Sequence, residues 1–118
     1  MKSILIVDDE VDIISTFAML FELRGFKVSR ASHGKQALEM LQELTPDIIL
    51  SDCMMPLMDG WELCDRVKNN PATSHVPFIL MSAAPGNYHS RLSKHDLLLE
   101  KPFLFNDLMA QISPFLSR

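Results

Sequence analysis

Residues 47–56 read Asp-Ile-Ile-Leu-Ser-Asp-Cys-Met-Met-Pro, and this stretch decides the fold. Ile48, Ile49 and Leu50 form an unbroken apolar run that passes through Ser51 into a lone acid, Asp52, and is punctuated by Pro56. A short run without polar alternation is the pattern of a strand covered on both faces, as in a parallel sheet. Working outward, residues 4–7, 78–81 and 97–99 repeat that pattern. Residues 26–31, Phe-Lys-Val-Ser-Arg-Ala, mix polar and apolar side chains and suit an edge strand.

Helical stretches separate the runs. Residues 11–24 put Ile14, Phe17, Ala18 and Phe21 on one face and stop at Gly25. Residues 35–44 do the same with Ala37, Leu38, Leu41 and Leu44 and stop before Pro46. A third helix fits residues 60–69 with Asp59 as N-cap, and a short fourth fits 87–94 after Pro85-Gly86. A fifth fits 106–116, with Asn106 as cap, Leu108, Met109 and Ile112 inward, and a kink or early stop near Ser113 imposed by Pro114. Strict alternation of strand and helix predicts an α/β fold, a doubly wound five-stranded parallel sheet with right-handed crossovers.

A chain of 118 residues with 47% hydrophobic content buries enough apolar surface for one domain over residues 1–118. Fifteen acidic against eleven basic residues give a net charge of -4, the wrong sign for direct nucleic-acid binding. Cys53 and Cys64 form no CxxC pattern or disulfide framework, which fits a reducing cytoplasm. The opening Met-Lys-Ser-Ile-Leu-Ile-Val-Asp-Asp-Glu is too short and too charged for a signal peptide or membrane anchor.

Ligands of doubly wound sheets sit beyond the carboxyl ends of the strands, so those ends matter most. Here they carry Asp8-Asp9, Ser51-Asp52, Ser82 followed by Ala83-Ala84, and Glu100-Lys101-Pro102. Singly, each has a bland role: Asp8 and Asp9 as caps of the first helix, Asp52 as a turn acid, Ser82 as a strand-end hydroxyl, Lys101 as a solvated lysine. Together they gather carboxylates, a hydroxyl and an ammonium in one crevice. Crowded carboxylates repel unless a cation compensates, and oxygen donors suit Mg2+, which favours one or two carboxylates plus phosphate oxygens.

Through Asp8-Asp9-Glu10, Asp52, Met55-Pro56 with Asp59-Gly60, Ser82-Ala83 and Lys101-Pro102-Phe103, the chain resembles the receiver domains of two-component response regulators along nearly its whole length. The resemblance implies a flavodoxin-like strand order 2-1-3-4-5 and a signalling domain, not a conventional enzyme, in a phosphorelay. Asp52 would accept a phosphoryl group from a sensor histidine kinase or histidine phosphotransfer protein. Asp9, Asp52 and the backbone carbonyl of Met54 would ligate Mg2+, with Asp8 reaching the ion through a water. Lys101, Ser82 and the N–H of Ala83 would bind the phosphoryl oxygens, Ser82 would switch partner binding, and the Lys101-Pro102 bond would be cis.

Two departures accompany the resemblance. Leu98 stands where many receivers carry an aromatic switch residue, and residues 82–101 form a shorter stretch than is usual, which leaves open whether phosphorylation drives a dimer or the chain stays monomeric. Met54 and Ala84 flank the path of attacking water and neither orients one, so slow self-dephosphorylation is expected. Four histidines, His33, His75, His89 and His95, read as surface residues, and Met19, Met40, Met81 and Met109 as packing residues. Met54, Met55 and Met58 read as an apolar rim of the acceptor loop. The alternative function is a degenerate receiver that docks a partner without phosphorylation; an aspartyl-phosphate phosphatase lacks its Asp-x-Asp after the first strand, and a flavodoxin-like cofactor binder lacks its phosphate loop. The effector downstream and the presence of further domains are left open.

Overall fold

Among the described residues, the apolar runs become strands and four of the five expected helical stretches become helices, in the order the sequence predicts. The computed structural model describes residues 2–83 and 94–117. The elements are β1 (Ser3–Val7), α1 (Val11–Leu23), β2 (Lys27–Ala31), α2 (Gly34–Met40), β3 (Ile48–Asp52), α3 (Gly60–Lys68), β4 (Phe78–Ser82), β5 (Leu97–Glu100) and α4 (Phe105–Leu116). The strands form one sheet of order β2-β1-β3-β4-β5 with every pair parallel, in registers such as Leu5 opposite Ile49, Ile49 opposite Phe78 and Ile79 opposite Leu97. The mixed strand, β2, is an edge and exposes Lys27 and Arg30.

Alternation along each strand sends side chains to opposite faces and builds two cores. Leu5, Val7, Ile49, Phe78 and Leu80 pack with Ala37 of α2 and Trp61, Leu63, Cys64 and Val67 of α3. Ile4, Ile6, Ile48, Leu50, Ile79 and Met81 pack with Ile14 and Phe21 of α1 and Leu108 and Ile112 of α4. Fully buried Phe21 sits edge-on to Phe26 and Phe105, with ring centroids 5.1 and 5.0 Å away. Truncating such a side chain to alanine costs about 3–5 kcal/mol. Asp59 caps α3, its Oδ1 accepting the Glu62 N–H at 2.8 Å, and Gly25, at φ 87°, ends α1 as expected.

Several details depart from the sequence expectations. The helix containing Pro114 runs on to Leu116, because only one backbone donor is lost near its end while Phe115 and Leu116 still pack on the second core. It begins at Phe105, not after an Asn106 cap; the Asn106 side chain accepts a hydrogen bond from the Arg24 guanidinium at 3.0 Å, and that guanidinium lies over the Phe105 ring. The second helix ends at Met40 and closes in turns through Leu44. Met19 is exposed, not packed. His95 is half-buried against Trp61, ring centroids 5.2 Å apart, and burial holds its pKa below the ordinary histidine value. His33 caps α2, its Nδ1 accepting the Gln36 N–H at 3.1 Å. Four helices occur among the described residues; the expected helix over 87–94 falls almost entirely outside them, as do His89 and Ala84. Among the described residues no helix is long and apolar enough to cross a membrane.

Candidate functional site

Because all five strands are parallel, their carboxyl ends share one edge of the sheet, and the charged residues that terminate them meet there. Asp8 follows β1 and is fully buried; its backbone N–H still bonds Ala31 of β2 at 3.1 Å, so the β1 ladder holds the acid in place. Asp52 is the last residue of β3 and 5% exposed. Ser82, the last residue of β4, is buried, and its carbonyl accepts the Lys101 N–H at 2.7 Å. That bond brings the lysine to the same edge, and the Lys101-Pro102 peptide that follows is cis. The Lys101 Nζ lies 3.3 Å from Asp8 Oδ2 and 3.3 Å from Asp52 Oδ1, so one ammonium bridges two buried carboxylates.

A third carboxylate completes the group. Asp8, Glu10 and Asp52 each offer an oxygen within 4.8 Å of the others. Glu10 stands at the extended N-cap position of α1, and its backbone N–H donates to Asp8 Oδ1 at 2.9 Å. Asp9 is exposed and outside this group. Glu10 belongs to the Asp8-Asp9-Glu10 motif but was not among the expected metal ligands, although a signal existed: in extended backbone, residues two apart project to the same side. Ala83 is exposed just past β4, Leu98 is half-buried in β5 against the first core, and Met54 is 52% exposed on the loop after Asp52.

The electrostatics follow from burial and neighbours. Burial pushes the Asp52 carboxyl above its ordinary pKa; Lys101 opposes this and Asp8 adds to it. Burial alone would lower the Lys101 pKa, but Asp52 and Asp8 outweigh it and hold the ammonium charged. The Cys53 thiol is driven up to about 12, first by burial and then by Asp52 and Asp59, so it stays protonated and inert beside the acid. Three carboxylates against one ammonium leave an uncompensated negative charge made of hard oxygen donors. That donor set fits a small divalent cation of the magnesium type, whose charge would offset the excess.

The chain as a whole is similar to known proteins. Residues 4–113 match the family described as "Response regulator receiver domain". The DNA-binding dual master transcriptional regulator RpaA of Synechocystis is 31% identical over 122 residues, covering 100% of this chain and 50% of that protein. The chain spans about half the length of the first curated relatives it matches. Among solved structures, the signal receiver domain of a signal transduction histidine kinase from Syntrophus aciditrophicus superimposes with TM-score 0.93 at 28% identity, covering 99% of this chain and 91% of that one. Response regulator protein TrrA from Thermotoga maritima, solved in complex with Mg(2+)-BeF, gives TM-score 0.88 at 27% identity, with 98% and 99% coverage.

Proposed function

Since the chain belongs to the response regulator receiver domain family, we propose that it accepts a phosphoryl group on Asp52 and thereby switches binding to a partner. The observation that carries this reading is the Lys101 ammonium held 3.3 Å from both Asp52 and Asp8 at the carboxyl edge of the sheet, with the buried Ser82 beside it. Asp52 is the nucleophile: one carboxylate oxygen forms a bond to phosphorus as the bond from phosphorus to the donor breaks, and the donor imidazole departs with the electron pair. Lys101 keeps Asp52 ionised against the pull of burial, then pairs with a phosphoryl oxygen once the carboxylate has lost its charge. The hydroxyl of Ser82 and the N–H of Ala83 receive the remaining oxygens, and movement of Ser82 toward them, with Leu98 filling space behind, communicates the change to the outer surface.

A divalent cation, Mg2+ by the chemistry of the donors, would spread the negative charge of the transferring group when bound. Asp52, Asp8, Asp9 and the Met54 carbonyl are the residues expected to hold it, and Glu10 is close enough to join them. The donor would be a sensor histidine kinase or a histidine phosphotransfer protein in the cytoplasm, and the product a monomer or a phosphorylation-dependent dimer. The complete set of Asp8, Asp52, Ser82 and Lys101 weighs against a docking module that never carries phosphate.

Incubation with acetyl phosphate and Mg2+ tests the proposal. Wild-type protein is expected to gain one phosphoryl group by intact mass, and Asp52→Asn to gain none. Wild type that remains unlabelled would overturn it.

A further inference from the structure

The loop after Asp52 holds a thioether at the acceptor that packing does not explain. The backbone N–H of Met54 donates to the Asp52 carboxylate, so the Met54 side chain springs from a point fixed beside that acid. The loop is held at both ends: the Cys53 N–H donates to the Met81 carbonyl at 2.8 Å, and the Gly60 N–H to the Cys53 carbonyl at 2.9 Å. Neighbouring Met55 is 9% exposed and packs in the first core, whereas Met54 is 52% exposed.

Exposure decides which sulfur atoms a dissolved oxidant reaches. Met19 on α1, at 56%, and Met54 are the exposed methionines among the described residues; Met40, Met58 and Met109 are partly covered, and Met55 and Met81 are buried. The thiols offer no competing target. Cys53 and Cys64 are buried, and burial first, then Asp52 and Asp59, keeps the Cys53 thiol protonated, whereas peroxide attacks thiolates. Of the two reachable thioethers, Met54 alone stands beside the carboxylates.

Hydrogen peroxide delivers one oxygen atom to a thioether: the S–O bond forms as the O–O bond breaks, sulfur gives up two electrons, and the peroxide is reduced to water. The sulfoxide then presents a strong hydrogen-bond acceptor where an apolar group stood. An aspartyl phosphate is lost when a water oxygen bonds to phosphorus as the bond from phosphorus to the Asp52 oxygen breaks. The carboxylate leaves with the electron pair, and the proton of the water passes to solvent. Asp52 is 5% exposed, so this water enters across the carboxyl edge of the sheet, where Met54 stands. A thioether is a weak acceptor and holds such a water poorly; a sulfoxide oxygen orients it. Resting on the phosphoacceptor reading above, we propose that Met54 is a peroxide-sensitive modification site whose sulfoxide shortens the life of the phosphoryl group on Asp52. Methionine sulfoxide reductases return the thioether, so the change is reversible.

The test treats the protein with dilute hydrogen peroxide, locates the added oxygen by peptide mass mapping, labels with acetyl phosphate and Mg2+, and follows decay of the label by intact mass. Met54 and Met19 are expected to gain oxygen before Met55 and Met81. Decay in oxidised wild type is expected to quicken by about threefold to tenfold, the range that one added hydrogen bond supplies. Methionine sulfoxide reductases should restore the original decay. Met19→Leu should keep the response to peroxide, Met54→Leu should decay equally before and after treatment, and Met54→Gln, which carries an amide oxygen near the place of the sulfoxide oxygen, should decay faster than Met54→Leu without any peroxide. Unchanged decay in wild type with Met54 fully oxidised, or an undiminished response in Met54→Leu, would overturn the proposal while leaving the acceptor reading intact. Untreated wild type that never labels would overturn the acceptor reading and this proposal with it.

Discussion

Gly60→Ala is the substitution whose consequence can be worked most fully from the structure. A Cβ at Gly60 would press on the carbonyl oxygen of Asp52 and lie 3.0 Å from both Cys53 Cα and Leu80 Cδ2. Two of those atoms are backbone and the third belongs to a fully buried leucine, so none yields without moving β3. Overpacking of this kind costs about 1–3 kcal/mol, while alanine in place of glycine in a helix returns roughly 0.5–1 kcal/mol. A net loss of about 1–2 kcal/mol remains. With an unfolding entropy of about 2.1 cal/mol/K per residue over 118 residues, that lowers the melting temperature by roughly 4–8 °C. Gly34→Ala is the comparison: its Cβ would meet only the Met58 side chain, Sδ at 2.7, Cγ at 3.0 and Cβ at 3.1 Å, and no backbone, so it is expected to cost less than Gly60→Ala. Thermal unfolding followed by circular dichroism compares the two. Phosphoryl labelling should slow in Gly60→Ala, since the shift falls on Asp52. A Gly60→Ala protein that melts no lower than Gly34→Ala would refute this reasoning.

Other substitutions probe the site and its frame. Lys101→Met leaves two buried carboxylates without their ammonium, a loss of roughly 1–3 kcal/mol at neutral pH in the absence of metal; added Mg2+ should raise its melting temperature more than that of wild type, and equal gains would contradict the charge argument. Met54→Asn puts an amide at a half-exposed position two residues after Asp52, so phosphate release from the labelled protein should quicken, and unchanged release would show that Met54 does not limit it. The Asp47 carboxylate accepts the Ser3 N–H at 2.7 Å and its hydroxyl at 3.1 Å, and the backbone bond above all holds its pKa below 3.8. A depressed pKa adds stability above the unfolded value that is lost as pH falls through the folded one. Asp47→Asn should therefore be less stable than wild type at pH 7 and close that gap near pH 3, as read by urea unfolding.

The sheet was legible because its signal is strong and local. Ile48-Ile49-Leu50 and Phe78-Ile79-Leu80-Met81 have no polar face to offer solvent, and with helices alternating between the runs a central parallel strand accommodates them best. The end-of-strand acids were legible because topology fixes where strand ends meet. What escaped depends on contacts between distant residues. Asn106 has the chemistry of a cap, but Arg24, which meets it across α1 and α4, takes its side-chain oxygen. Pro114 reads as a kink or an early stop, and the helix runs on to Leu116 because the packing of partly buried Phe115 and Leu116 on the second core is set against one lost donor. His95 looks like a loop residue until Trp61 is seen beneath it. Glu10 and Asp9 are equally acidic on paper, and only the extended backbone at the start of α1 turns Glu10, and not Asp9, into the carboxylate group.

We propose that Asp52, among the acids gathered at this edge, takes the phosphoryl group. Borohydride reduces an aspartyl phosphate to homoserine, which marks the position permanently. After labelling with acetyl phosphate and Mg2+, reduction and peptide mass mapping should place homoserine at residue 52, and nowhere when Mg2+ is withheld or Asp52 is replaced by asparagine. Homoserine at residue 8 or 9, or labelling that survives Asp52→Asn unchanged, would contradict the account.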